Sequence, residues 1–298
     1  MKHIAVLGAG TMGLTIARLF ANYRYEVSLY EPIGKQLNAV EAQLSGEGLG
    51  ICLTDDLLKA VADADLIIEC VPEQLTIKRE LLLMLSAMMK QDAIVASNTS
   101  SFSLQTLAQD LPYRDRFMIA HFFNPAHLIP LVEIVGMPDT PPHLLEELVS
   151  LLRQCGKTPV VLNKDIPGFI ANRLQAALLR EACFLLESGI ADAKQIDTVV
   201  KEGPGLRWAS KGPFEIADLG GLDIWAILTG RLFPELSNSS DTPGTIMEKV
   251  ANNELGVKSG SGYYEYSSST QAVEEMGDSL RRLLSARQSE GDDQADNA

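Results

Sequence analysis

Short apolar runs alternate with stretches of helical periodicity through the first half of the chain. His3 to Gly8 is an apolar run, Thr11 to Ala21 repeats apolar residues at helical spacing, and Glu26 to Glu31 is strand-like through Val27, Leu29 and Tyr30. Asp65 to Val71 and Ala93 to Ala96 are continuous apolar runs, of the length expected for strands buried on both faces. Gln74 to Met89 between them reads as a helix, with Leu81 to Met89 buried. Phe117 to His121, Leu131 to Val135 and Thr158 to Leu162 read as further strands. Such alternation predicts a mostly parallel sheet with helices on both faces. After Asp165-Ile166-Pro167-Gly168 the strand signal stops. Phe169 to Ser188 reads as a long amphipathic helix, Asp192 caps the next, and helices follow around Ile216 to Phe233, Thr245 to Asn253 and Ala272 to Ser285. The pattern therefore predicts an α/β domain over residues 1–165 and an all-α domain over 166–287. Residues 288–298, polar and acidic without an apolar period, are expected to form a disordered tail.

Composition narrows the classes. A length of 298 residues suits two domains, and 46% hydrophobic with 21% charged residues is globular. Lys and Arg number 25 against 39 Asp and Glu, a net charge of −14. That balance argues against nucleic acid and anionic membranes as partners. No apolar run approaches the roughly 20 residues of a membrane span, and the opening Met1-Lys2-His3-Ile4 lacks a signal-peptide pattern. Cys52, Cys70, Cys155 and Cys183 are far apart with no C-x-x-C pair. They predict reduced thiols, no metal site and a cytoplasmic protein.

Gly8-Ala9-Gly10-Thr11-Met12-Gly13 follows the first strand and opens the first helix. In a G-x-G-x-x-G so placed, Gly8 makes the tight turn, Gly10 lets a pyrophosphate approach the backbone, and Gly13 lets helix and strand pack. The helix N-terminus, at Thr11 and Met12, then faces the phosphates. Glu31, 18 residues beyond Gly13, ends the second strand, where a carboxylate binds a ribose 2′-hydroxyl and repels a 2′-phosphate. The pair predicts a dinucleotide site that favours NAD over NADP. Glu73 and Asn98 lie after later strands, toward the nicotinamide half.

Oxidising an alcohol with NAD needs a base near neutrality and hydrogen-bond donors on the oxygen that becomes a carbonyl. Of four histidines (His3, His121, His127 and His143), His121 lies at a strand's C-terminal end, in Ala120-His121-Phe122-Phe123-Asn124-Pro125. Glu133 sits among apolar strand residues in Leu131-Val132-Glu133-Ile134-Val135. A carboxylate there is costly to bury unless paired, and the imidazole twelve residues earlier, across a turn, is its natural partner.

These residues resemble the L-3-hydroxyacyl-CoA dehydrogenases, including 3-hydroxybutyryl-CoA dehydrogenases. The likeness continues through Ser97-Asn98-Thr99-Ser100-Ser101, Lys164-Asp165-Ile166-Pro167-Gly168-Phe169-Ile170-Ala171-Asn172-Arg173, Lys211-Gly212-Pro213-Phe214, Asp218 to Asp223 and Lys258 to Tyr264, in order over residues 1–266. It implies a Rossmann domain, then a helical domain that forms a homodimer, with the active site in the cleft between them. It also implies His121 as general base with Glu133 as partner, and Ser100 and Asn172 as holders of the substrate oxygen. Asn124 would be a substrate contact, and Asn98, Glu73 and Lys78 cofactor-side contacts.

Two features depart from the enzymes of CoA thioesters. Those carry a lysine-rich arm after the ribose carboxylate, whereas Pro32 to Ala64 holds only Lys35 and Lys59 against Glu41, Glu47, Asp55, Asp56 and Asp63. Gly203-Pro204-Gly205-Leu206-Arg207-Trp208 resembles relatives acting on free hydroxy acids, such as gulonate and carnitine dehydrogenases, and Arg207 would clamp a carboxylate. The expected function is NAD-dependent interconversion of a short 3-hydroxyacyl-CoA and its 3-keto form. The alternatives are the same chemistry on a free small hydroxy acid, or a non-catalytic NAD-binding protein.

Overall fold

Apolar runs too short for helices, each followed by a turn and a helix, pair side by side in the first part of the chain. They give strands β1 (His3–Leu7), β2 (Glu26–Tyr30), β3 (Ile51–Thr54), β4 (Leu66–Glu69), β5 (Ile94–Ser97), β6 (Phe117–Phe122), β7 (Leu131–Gly136) and β8 (Thr158–Val161). The computed structural model describes residues 1–295, with side chains described to residue 287. It divides into two units, Met1–Ala171 and a second beginning at Asn172.

In the first unit the strand order is β3-β2-β1-β4-β5-β6-β7-β8. Strands β1 to β6 are mutually parallel, β7 runs antiparallel to β6, and β8 is parallel to β7. The first six strands thus have the order of a dinucleotide-binding sheet, whose order reverses between β1 and β4. Helices α1 (Thr11–Asn22), α2 (Gly34–Leu44), α3 (Leu57–Val61), α4 (Leu75–Leu85), α5 (Leu104–Ala108) and α6 (Pro142–Gln154) complete the unit. Two apolar cores form, one including Ile16 and Phe20 of α1, the other Leu82 and Leu85 of α4.

The second unit is helical: α7 (Ala171–Glu187), α8 (Ala193–Glu202), α9 (Pro204–Ser210), α10 (Pro213–Gly220), α11 (Leu222–Leu232), α12 (Gly244–Ala251) and α13 (Ser269–Ala295). Asp192 caps α8 in a reciprocal box with Gln195. The Rossmann-type domain followed by a helical one agrees with the pattern read from sequence. Among the described residues no helix is long and apolar enough to cross a membrane.

Four local expectations change. The helix expected over Ile216 to Phe233 is two, because Gly221 adopts φ 86°, outside the helical range, between α10 and α11. The stretch from Leu81 to Met89 is only partly buried: α4 buries Leu81, Leu82 and Leu85 on one face and exposes Leu83 and Met84 on the other. Strand β3 follows the glycines at 46, 48 and 50 and has no counterpart in the strands expected from sequence. Where a disordered tail is expected, the backbone of α13 is helical as far as Ala295; residues 296–298 lie outside the described residues.

Candidate active site

Gly8 and Gly13 are required by the protein's own packing. Gly8 has φ 98°, and a Cβ there would lie 2.8 Å from the Cys70 carbonyl oxygen; one on Gly13 would lie 1.8 Å from the Gly8 carbonyl oxygen. Gly10 differs. Its φ is −67°, open to any residue, and a Cβ there would meet nothing within 4 Å. The space before Gly10 is therefore a cradle that a side chain would fill. It faces the start of α1, whose first turn has neither a side-chain cap nor an acidic residue, with Thr11 exposed and Met12 half-buried. The arrangement suits a pyrophosphate. Glu31 is buried after β2: Oε2 accepts the Ala9 N–H at 3.1 Å and Oε1 the Ile33 N–H at 3.0 Å. Each oxygen keeps a further lone pair for a hydroxyl.

Along the same sheet edge a charge cluster, buried at Glu69 and Lys78 and open to solvent at Glu73, fixes the loop after β5. Glu69 is fully buried at the end of β4 and accepts from Lys78 Nζ at 2.8 Å, Ser97 Oγ at 2.5 Å and Val71 N–H at 2.8 Å. Lys78 Nζ also lies 3.0 Å from Glu73 Oε2. Glu73 Oε1 receives Thr99 Oγ1 at 2.5 Å, Ser101 Oγ at 2.6 Å and the N–H groups of Ser100 and Ser101 at 3.2 and 3.1 Å. Burial would raise the Glu73 carboxyl, but the Ser101 and Thr99 hydroxyls and the Lys78 charge hold it down at about 2. Burial would lower the Lys78 ammonium, but Glu69 and then Glu73 raise it above its ordinary value. Lys78 is only 1% exposed, with its donors taken by Glu69, Glu73 and the Val71 carbonyl.

On the neighbouring strands, His121 of β6 stands directly opposite Glu133 of β7 in the antiparallel register. His121 Nδ1 is 3.0 Å from Glu133 Oε2. With Nδ1–H donating to the Glu133 carboxylate, Nε2 presents its lone pair, and it has no hydrogen-bond partner among the described residues. Glu133 Oε1 accepts the N–H groups of Ile170 at 2.8 Å and Ala171 at 3.0 Å. Gly168 at φ 78° and Phe169 at φ 49° turn those amides onto the carboxylate. The Phe169 ring lies 5.0 Å from the imidazole. Asn98 Oδ1 accepts the Phe122 N–H at 2.9 Å and ties the ends of β5 and β6 together.

The structure thus brings Asn98, Ser100, His121 and Glu133 to the C-terminal ends of β5 and β6 and the facing β7. Ser100 is exposed there, and Asn124 is exposed three residues after His121. Asn172 is half-buried in the first turn of α7, one residue past the Ala171 amide that Glu133 holds. Arg207 is exposed on α9 in the second unit. Sequence reasoning passes over Glu69, although Leu66-Ile67-Ile68-Glu69 carries the same signal as Glu133, a carboxylate in an apolar strand. Phe169 offers no such signal. Among the described residues no group of three or more His, Cys, Asp or Glu is placed to hold a metal.

Comparison with known proteins settles the family. Residues 3–50 and 49–166 match the NAD binding domain of 3-hydroxyacyl-CoA dehydrogenase, and residues 168–266 its C-terminal domain. The chain belongs to the 3-hydroxyacyl-CoA dehydrogenase family. It is an NAD-dependent dehydrogenase of that type. It is 35% identical, over 96% of its length and 97% of the relative's, to 5-formyl-3-hydroxy-2-methylpyridine 4-carboxylate 5-dehydrogenase of Mesorhizobium japonicum. A crystal structure of a dehydrogenase for that pyridine carboxylic acid, described as an NAD+ dependent dismutase, superposes with a TM-score of 0.88. That structure is 34% identical and covers 96% of this chain and 97% of its own. The chain is also 36% identical to the mitochondrial hydroxyacyl-coenzyme A dehydrogenase of Sus scrofa, covering 89% of this chain and 91% of the relative. Against L-carnitine dehydrogenase of Bacillus cereus it is 36% identical, covering 74% of this chain and 72% of the relative.

Proposed function

We propose that His121 carries the proton in an NAD-dependent interconversion of a hydroxyl and a carbonyl, and that the substrate is a small free carboxylic acid. The His121–Glu133 pair carries the first part. Glu133 fixes the ring, selects the tautomer with a free Nε2 lone pair and stabilises the imidazolium that forms when Nε2 takes the hydroxyl proton. The chemistry a bound NAD would supply is hydride acceptance from the carbon bearing that hydroxyl, and its reverse. The Gly10 cradle and the N-terminus of α1 would hold its pyrophosphate, and Glu31 its adenine-side ribose. Ser100, on a loop gripped by Glu73, and Asn172 would hold the substrate oxygen; Asn98 and Glu73 border the cofactor side.

Charge supports the free acid. A CoA substrate brings phosphates, which need cations. Between Pro32 and Ala64 the exposed Lys35 and Lys59 face five carboxylates, and the nearby Arg18 is taken by Glu47 at 2.5 Å. Relatives named for a pyridine carboxylate and for carnitine fit this reading, with Arg207 as the carboxylate's partner. The hydroxyacyl-CoA reading is favoured by the near-complete match to the Sus scrofa enzyme. The two separate by following NADH consumption with acetoacetyl-CoA beside a panel of free 3-keto and aromatic aldehyde acids. Turnover of acids alone is expected, and turnover of the thioester alone overturns the free-acid reading. His121→Ala should lower kcat by about 100-fold or more with NADH affinity nearly unchanged; near-normal kcat removes His121 from the role. We also infer a homodimer, supported by the exposed apolar side chains of the second unit.

A further inference from the structure

The connection from β6 to β7 carries Phe123 and Asn124, and a side chain outside the proposed chemistry holds its course. Lys157, just before β8, is 7% exposed. Its Nζ donates to the Ala126 carbonyl and, at 3.0 Å, to the Ile129 carbonyl. The Thr158 N–H donates to the Pro130 carbonyl at 2.8 Å, so two consecutive residues grip the loop's second half. Within the loop Leu128 and Ile129 N–H both donate to the Pro125 carbonyl, at 3.0 and 2.9 Å, and at its start the Phe123 N–H donates to the Leu131 carbonyl at 3.3 Å. The Phe123 ring stands edge-on to His121 with centroids 6.3 Å apart, so the loop forms a wall of the base's surroundings.

Lys157 has no carboxylate partner among the described residues. Burial draws its ammonium down to about 8, with Cys155 opposing. Burying a cation against carbonyls alone is costly, and an apolar side chain of similar length would avoid that cost. What the charge accomplishes is the hold on Ala126 and Ile129.

We propose that Lys157 is a positioning residue for the carbonyl substrate: by gripping Ala126 and Ile129 it fixes the Phe123–Asn124 segment beside His121. The proposal rests on the role of His121 given above. A displaced loop changes the fit of the substrate but leaves the dinucleotide cradle, at the other strands, untouched.

The test uses Lys157→Met and Lys157→Arg with the best substrate of the panel above. Lys157→Met should raise the KM of that substrate about fivefold or more, keep the KM of NADH within about twofold, and leave Lys157→Arg near wild type. Amide exchange at Leu128 and Ile129 should quicken about tenfold in Lys157→Met. An unchanged substrate KM overturns the proposal, and so does an equal rise in both Michaelis constants, which reports general loosening. If Lys157→Met does not fold, Lys157→Gln replaces it with the same outcomes. If the wild-type protein turns over nothing in the panel, the functional reading falls while exchange still decides the grip. Faster exchange confined to residues 123–130 then supports it, and unchanged exchange overturns it.

Discussion

Ile67 on β4 and Phe214 on α10 are both large apolar side chains, yet Ile67 is fully buried and Phe214 is 85% exposed. The contrast extends to the units that hold them. Among the described residues only Cys183 and Ile216 of the buried hydrophobic ones lie beyond Ala171, while Ile190, Val199, Leu219 and Phe233 are each more than 60% exposed. The sheet unit buries its apolar residues within itself, in two layers of side chains on either face. The helical unit has the same amphipathic patterning, but its apolar stripes lack cover in a single chain. Polar chemistry follows the same division. Buried ions and their partners (Glu31, Glu69, Lys78, His121, Glu133 and Lys157) all lie in the first unit, where a dry, rigid frame keeps them in place. The lesson is that one unit is a scaffold for a site and the other supplies a surface.

The contrast can be broken most directly at the buried ion pair. Lys78→Met leaves the fully buried Glu69 uncompensated and should cost about 3–5 kcal/mol in urea unfolding. A loss below about 1 kcal/mol, the ordinary worth of a surface pair, would mean that the frame is wetter than its burial indicates. Gly10→Ala separates the fold from the ligand. Nothing in the protein requires that glycine, so the melting temperature should hold while NADH binding weakens about tenfold, about 1.4 kcal/mol; titration by NADH fluorescence reads it. An unaltered affinity would remove the cradle from the cofactor site.

Acid should loosen one part of the frame selectively. The Glu73 carboxyl is held at about 2, below its ordinary 4.5, so the unfolded chain binds its proton first as pH falls. Its stabilising effect is therefore complete above 4.5 and lost as pH falls through about 2. Amide exchange at Ser100 and Ser101, corrected for intrinsic rate, should lose protection across that window, and Glu73→Gln should remove the dependence. The smallest effect is expected on the exposed side. Phe214→Ala should change the unfolding free energy of dilute protein by less than about 0.5 kcal/mol. At high concentration it should weaken self-association in sedimentation, if the second unit's surface is where copies meet. A large loss at every concentration would place Phe214 in a core instead.

Much of the site is legible one residue at a time. The turn from Gly8 to Gly13, with Glu31 beside it, is legible because a turn between strand and helix is local, and its spacing is fixed by backbone geometry. Glu133 announces itself because a carboxylate in an apolar strand demands a partner. Glu69 carries the same signal, but its partners Lys78 and Ser97 lie on a helix and a neighbouring strand that no periodicity links to it. The pairing of Lys78 with Glu69 and Glu73 is likewise invisible until the fold brings the three together. The break at Gly221 was hidden for a different reason. A helix tolerates a glycine at about 1 kcal/mol, so the apolar period runs on through Gly220-Gly221, and the φ of Gly221 shows that the chain turns there.

The sequence by itself determines the alternation of strands and helices, apart from β3 and the break at Gly221, the glycine turn that opens α1 and the pairing of His121 with Glu133. Each rests on contacts across a few residues or on one hairpin, where spacing dictates geometry. Tertiary structure alone decides which charges are buried, that Glu73 grips the Ser100 loop, and that Lys157 grips the loop beyond His121. It alone shows that the helical unit leaves its apolar stripes uncovered. Burial is a property of what packs around a residue, and that comes from distant parts of the chain, so no local pattern contains it.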